Sequence, residues 1–228
     1  MTHGTHAEYV CTIERKLIPK PARLSFEEAG AVQASALTAL TSLRDKGDVQ
    51  AGQEVMIIGA SGGVGSFAVQ IAKAFGAEVT GVCSTAKVEM VRSIGADHVV
   101  DYREEDITQC GRRYDLILDI GGNRPLSTLR RALRSKGTLV IVGAETDGPW
   151  FGGVGRQLAT MAISPLVSQD LKTMIASDDK EHLLALGELL SSGQVTPVID
   201  RAFPLSDTSE AIRYLSDGHA RGKLVVIV

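Results

Sequence analysis

The stretch from Val55 to Ser84, VMIIGASGGVGSFAVQIAKAFGAEVTGVCS, constrains the fold more than any other part of the chain. Val55 to Ile58 is an unbroken apolar run, the pattern of a strand covered on both faces. Gly59-Ala60-Ser61-Gly62-Gly63-Val64-Gly65 follows at once. Val64, Phe67, Ala68, Ile71, Ala72 and Phe75 then recur at steps of three and four, so they form one apolar helix face. Gly76 supplies the left-handed residue that ends such a helix, and Glu78 to Val82 reads as the next strand. The unit is strand, glycine turn, helix, strand, which implies a right-handed crossover and parallel pairing.

The turn departs from the G-x-G-x-x-G fingerprint at one place, where Ala60 stands for the first glycine. A small residue there permits the tight turn, Gly62 lets backbone approach a pyrophosphate, and Gly65 lets the helix pack closely on the strand. The amides of Gly63 and Val64 open the helix toward anionic oxygen, aided by the helix dipole, and Ser61 adds a hydroxyl. A glycine cluster alone is an ordinary turn; here its place between a strand and an amphipathic helix argues for a bound dinucleotide. The end of the second strand, Val82-Cys83-Ser84-Thr85-Ala86-Lys87, lacks the acid that grips the ribose hydroxyls of NAD. Hydroxyls on Ser84 and Thr85 and the charge of Lys87 suit a 2′-phosphate. NADPH is therefore expected over NADH.

The alternation continues. Val88 to Ile94 reads as a short helix stopped by Gly95, His98 to Tyr102 and Leu116 to Ile120 as strands, Leu126 to Leu133 as a helix, and Thr138 to Val142 and Leu171 to Ala176 as the last two strands. Six strands in two halves predict an α/β fold with a doubly wound parallel sheet. Ahead of it lie a strand from His6 to Ile13, a Pro-interrupted loop, and an Ala-rich helix opened by the capping box Ser25-Phe26-Glu27-Glu28 and running to about Asp45. After Ala176 come a helix from Lys180 to Ser192, a strand near Val198, a helix from Thr208 to Leu215 and a strand from Leu224 to Val228, expected to belong to a second layer or domain. The divisions are residues 1–32, 33–177 for the dinucleotide domain, and 178–228.

Charge and cysteine exclude several functions. Lys and Arg number 24 against 27 Asp and Glu, so no basic field draws nucleic acid. The apolar runs are too short to span a bilayer, and the first residues lack a secretion signal. Cys11, Cys83 and Cys110 are scattered, which argues against a disulfide framework. No C-x-x-C or H-E-x-x-H occurs, and His3 with His6 is a pair at a terminus rather than a metal site. The expectation is a reduced, cytoplasmic, metal-free globular protein. A short-chain dehydrogenase needs Lys four residues after its Tyr; Tyr9, Tyr102, Tyr114 and Tyr214 are followed there by Ile13, Asp106, Leu118 and Gly218.

The turn Gly59 to Gly65, Ala96-Asp97-His98-Val99-Val100-Asp101-Tyr102, Tyr114-Asp115-Leu116-Ile117-Leu118-Asp119 and His219-Ala220-Arg221-Gly222-Lys223 together resemble the zinc-free medium-chain dehydrogenase/reductases. Among these the NADPH:quinone oxidoreductases, including the reticulon-interacting mitochondrial type, are the nearest in pattern. The resemblance implies that Ser61, Gly63 and Val64 bind the pyrophosphate and that Ser84 and Lys87 read the adenosine phosphate. It further implies that Tyr102 contacts the adenosine half, that His219, Ala220 and Arg221 return to the cofactor, and that Thr38 and Gly143 approach the nicotinamide. It implies a GroES-like catalytic domain of which only His6 to Ile13 and the tail after Ala176 look like remnants, and a homodimer through the edge formed by the last strands.

The activity so implied is hydride transfer from NADPH to a quinone or an activated alkene, without a metal and with no catalytic proton donor assigned. The segment Trp150 to Ser168, apolar at Leu158, Met161, Ile163 and Leu166, is expected to line the acceptor side or to pack on a partner subunit. Two other readings stay open at this point: a non-catalytic, NADPH-binding regulatory module, and a fragment of a zinc-type alcohol dehydrogenase.

Overall fold

The computed structural model describes residues 7–108, 111–121, 124–142, 167–174 and 179–228. Six parallel strands, β1 (Glu54–Ile58), β2 (Glu78–Cys83), β3 (His98–Asp101), β4 (Tyr114–Asp119), β5 (Leu133–Ile141) and β6 (Asp170–Thr173), form one sheet in the order β3-β2-β1-β4-β5-β6. That is the doubly wound order, with its switch point between β1 and β4. The helices are α1 (Phe26–Thr41), α2 (Gly63–Ala74), α3 (Val88–Ser93), α4 (Leu126–Ala132), α5 (Lys180–Ser191) and α6 (Thr208–Ser216). β7 (Ile199–Pro204) and β8 (Lys223–Ile227) complete the chain.

The strands separate two apolar layers by their period of two. Val55 and Ile57 of β1 face the layer built with α1, α2, α3 and α5, while Met56 and Ile58 face the layer built with α4. The strand residues of both layers are buried, as the unbroken apolar runs require.

α1 begins as its sequence predicts. Ser25 Oγ accepts from the Glu28 amide at 3.1 Å and Glu28 Oε2 from the Ser25 amide at 2.8 Å. The helix continues through Thr41 and passes into a π-turn at Ser42–Lys46. Its small residues Ala31, Ala36 and Ala39 are buried and allow close approach to α2. For that reason α2 has no solvent face in its centre: residues 65–72 are all buried, whereas Val64 and Phe75, expected on an apolar face, are half-buried.

Several boundaries differ from expectation. Residues 7–13 form no strand; Tyr9, Val10 and Ile13 are exposed and meet no neighbouring strand, and an extended segment without a ladder partner is not a strand. His6 lies outside the described residues. β5 begins at Leu133, directly from α4, because its first residue pairs with Tyr114 across an irregularity in the register. β6 closes at Thr173. The tail keeps more of the alternation than its sequence suggests: β7, α6 and β8 are a second parallel strand-helix-strand unit, but they form a separate two-stranded sheet. Among the described residues no helix is long and apolar enough to cross a membrane.

Candidate cofactor site

The carboxyl ends of β1 and β4 meet at the switch point. The Gly59 amide and the Ala60 amide both donate to the Val82 carbonyl at 3.1 Å, which ties the turn to β2. Gly65 is required by close packing. A Cβ on it would stand 2.0 Å from the Gly59 oxygen and 2.7 Å from the Ala60 Cα. Gly62 is different, since a Cβ there would meet nothing nearer than the Gly59 oxygen at 3.5 Å, an ordinary contact. Among the described residues no packing contact requires bare backbone at Gly62. Gly62 also brings no side chain to cap α2, and the first amides of a helix have no acceptor within it. This cradle fits a diphosphate.

The end of β2 forms the second part. Ser84 precedes a short 3-10 turn, Thr85–Lys87. Thr85 donates to the Asp101 carboxylate, which this bond and those from the Arg103 and Thr85 amides hold below the usual carboxylate range. The Thr85 hydroxyl is thus directed at Asp101, an acid paired in register with Cys83 and not visible from spacing along β2. The Cys83 thiol is pushed up to about 11, first by burial, which leaves it an inert core group. Tyr102 is half-exposed beside it, its amide bonded to the Cys83 carbonyl.

Lys87 is neither solvated nor idle. Its ammonium donates to the Gly218 carbonyl at 3.1 Å and the Ala220 carbonyl at 2.8 Å. Burial, with Arg221 nearby, holds its pKa below the ordinary lysine range against the pull of Asp200. An ammonium has three hydrogens, and two of them are taken by these carbonyls.

The C-terminal segment, His219 to Lys223, closes over the turn. The Gly222 amide donates to the Ser61 carbonyl at 2.9 Å and the Lys223 amide to the Val198 carbonyl at 2.8 Å. Gly222 has φ +86°, and a Cβ there would lie 2.4 Å from the Val198 oxygen, so only glycine makes this bend. Asp200 orders the same segment by accepting from Tyr214 Oη at 3.0 Å and from the Arg221 amide at 3.2 Å. The C-terminal segment therefore meets the turn at Ser61 and Gly63, through Gly222 and Lys223, and meets Lys87 through Gly218 and Ala220.

α1 crosses this end of the sheet. Ser35 lies at Gly63, and Thr41 Oγ1 lies 3.7 Å from Met174 Sδ, beyond the end of β6. Thr38 sits between these anchors, with its hydroxyl turned back to the Ala34 carbonyl at 2.7 Å. Gly143 and the segment 150–166 lie outside the described residues. Sequence reasoning missed Ser35, Asp200 and the individual part of Lys223. The only signal was the unbroken HARGK string, which carries no distance information. Among the described residues no cluster of three or more His, Cys, Asp or Glu is arranged to hold a metal.

Residues 94–226 match a family model described as zinc-binding dehydrogenase. The chain is 35% identical to the mitochondrial NAD(P)H oxidoreductase RTN4IP1 of Mus musculus, over 99% of this chain and 61% of that protein. It is 32% identical to the chloroplastic quinone-oxidoreductase QR1 of Triphysaria versicolor, over 98% of this chain and 68% of that one. A crystal structure of an NAD-dependent alcohol dehydrogenase superposes with a TM-score of 0.83 at 31% identity, covering 99% of this chain and 66% of the other. The chain thus spans about three fifths of the length of the first of these relatives. With the sheet order, the glycine turn and these likenesses together, the chain belongs to the medium-chain dehydrogenase/reductases, in their quinone oxidoreductase branch.

Proposed function

We propose that this chain binds NADPH at the carboxyl end of its sheet and serves an oxidoreductase that reduces a quinone or an activated alkene. The observation that carries the reading is the contrast at the turn: Gly65 is demanded by the fold, whereas Gly62 is left bare for something outside it. The chemistry the dinucleotide supplies is a hydride from its nicotinamide ring.

The chain's own residues bind and orient. The amides of Gly63 and Val64, with Ser61 beside them, take the diphosphate. Ser84 and the remaining hydrogen of Lys87 take the 2′-phosphate, with Arg221 adding charge. Tyr102 borders the adenosine half. Ala220, whose carbonyl Lys87 holds, and His219 draw the C-terminal segment over the cofactor. Thr38, on the part of α1 between Gly63 and Met174, faces toward the nicotinamide half. Among the described residues β6 is the last strand of the sheet, and a homodimer through that side would extend or cover it.

The test is a fluorescence titration of NADPH and NADH into the wild type and Lys87→Ala, alongside turnover with a simple quinone. The expected result is preference of the wild type for NADPH and a loss of about tenfold, or about 1.4 kcal/mol, in NADPH affinity for Lys87→Ala with a smaller loss for NADH. Equal affinity for both nucleotides in the wild type would remove the 2′-phosphate assignment. Binding without quinone reduction would leave a nucleotide-binding module and remove the oxidoreductase part.

A further inference from the structure

Lys223 has no part in the roles assigned above, yet it stands against the glycine turn. It opens β8, and its ammonium donates to Ser35 Oγ on α1 at 2.9 Å. Its Cδ lies 3.1 Å, and Ser35 Oγ 3.4 Å, from the point a Cβ of Gly63 would occupy. Both groups therefore flank the first turn of α2, whose leading amides have no acceptor within the helix.

The charge of this lysine is poorly matched in the protein alone. The side chain is half-buried, and burial depresses its pKa with no carboxylate among the causes. Its bonded partner is a neutral hydroxyl. A cation withdrawn from water is costly until an anion or a set of acceptors compensates it. Backbone anchors meanwhile fix where the side chain can reach: the Lys223 amide is bound to Val198 and the preceding Gly222 amide to Ser61. The lysine is thus held beside the N-terminus of α2, which has no capping side chain and borders Gly62.

We propose that Lys223, positioned by Ser35, binds the diphosphate bridge of a nicotinamide dinucleotide together with the amides of Gly63 and Val64. The proposal rests on the dinucleotide reading given above and adds to it a cationic residue from the far end of the chain. It divides the labour between two lysines: Lys223 serves the part common to NADH and NADPH, and Lys87 serves the part that distinguishes them.

The experiment titrates NADPH, NADH and adenosine 2′-monophosphate into the full chain as wild type, Lys223→Met, Lys223→Arg and Ser35→Ala, with the ligand-free melting temperature of each. Lys223→Met is expected to lose about tenfold in affinity for both dinucleotides by the same factor, equivalent to about 1.4 kcal/mol. Its affinity for adenosine 2′-monophosphate, which has no diphosphate, stays at the wild-type value. Lys223→Arg recovers most of the loss, and Ser35→Ala shows a smaller loss of the same kind. Unchanged dinucleotide affinity in Lys223→Met overturns the proposal and leaves the dinucleotide reading standing; a wild type that binds neither dinucleotide removes that reading itself. An equal fall for the 2′-monophosphate, or no recovery in the arginine variant, assigns Lys223 to packing α1 on β8 and also overturns it. If Lys223→Met does not fold, Ser35→Ala decides by the same comparison: no loss selective for dinucleotides overturns the proposal.

Discussion

The two ends of the six-stranded sheet treat charge differently. At the amino end, charges are partnered with charges. Glu78 at the start of β2 is joined by Arg112 and His98, Arg134 reaches Asp115 and Glu54, and Asp97 ahead of β3 binds Lys73 at 2.8 Å. The same acids also hold backbone: Asp115 accepts from the Glu54 amide and Asp97 from the Val79 amide. At the carboxyl end, Lys87 is held by two carbonyls and Lys223 by a hydroxyl. Two acids there hold other groups, Asp101 the Thr85 hydroxyl and Asp200 the Tyr214 hydroxyl and the Arg221 amide, although Asp200 also attracts Lys87. A paired charge fixes the chain that carries it. A cation held by neutral oxygens is equally well placed but keeps its field for an incoming anion. Cations paired with carboxylates and cations held by neutral oxygens are thus separated by the length of one strand.

Three substitutions break or sharpen this contrast, and the largest effect lies within the carboxyl end itself. Gly65→Val forces a Cβ against the Gly59 oxygen and the Ala60 Cα, backbone atoms with no room to retreat. Urea denaturation is expected to show a loss of about 3 kcal/mol, the upper range for overpacking, and nucleotide binding goes with the fold. Stability within 1 kcal/mol of the wild type would contradict the packing account of this glycine.

Gly62→Ala separates binding from folding. Its Cβ enters ordinary contact distance at an extended φ of −84°, so the melting temperature is expected to stay at the wild-type value. NADPH affinity is expected to fall about tenfold, or about 1.4 kcal/mol, because the backbone no longer admits the diphosphate as closely. A calorimetric titration that finds wild-type affinity would show that Gly62 is bare for no ligand.

Asp97→Asn, at the amino end, has the smallest effect and the opposite signature. Burial raises the Asp97 pKa, but the bonds from Lys73 and the Val79 amide outweigh it and leave the pKa below its ordinary value. A carboxylate with a depressed folded pKa stabilises the fold above its unfolded pKa, near 4, and the contribution is lost as pH falls through the folded value. The ion pair is a third exposed and screened, so the loss in the variant is about 1 kcal/mol at neutral pH, carried mostly by the amide bond. Denaturation curves at pH 7 and below pH 3 should differ less for Asp97→Asn than for the wild type, with NADPH affinity unchanged at pH 7. A change in affinity would mean that the two ends are coupled.

Much of this was legible in local pattern. The capping box at Ser25, the left-handed glycines Gly76 and Gly95, and the continuous apolar runs of β1 and β4 each carry their own geometry within a few residues. The strand predicted from His6 to Ile13 failed over its described residues, 7–13, for the complementary reason: a strand is a relation between two segments, and one segment cannot supply its own partner. β5 began earlier than its apolar core implied because pairing with Tyr114 overrode the polar residues Arg134 to Lys136.

The site divides along the same line. The amino-acid sequence by itself determined the turn, since the close packing at Gly65 is written as glycine at a set spacing from the strand, and it determined the parallel, alternating fold around that turn. Only the tertiary structure decided what meets it: that Asp101 takes the Thr85 hydroxyl, that Lys87 holds the carbonyls of Gly218 and Ala220, and that Lys223 returns across the chain to Ser35 and Gly63. The physical reason is range. Backbone conformation and helix capping act over a few neighbouring residues, whereas electrostatic partnership acts through space between segments that only the closed sheet brings together.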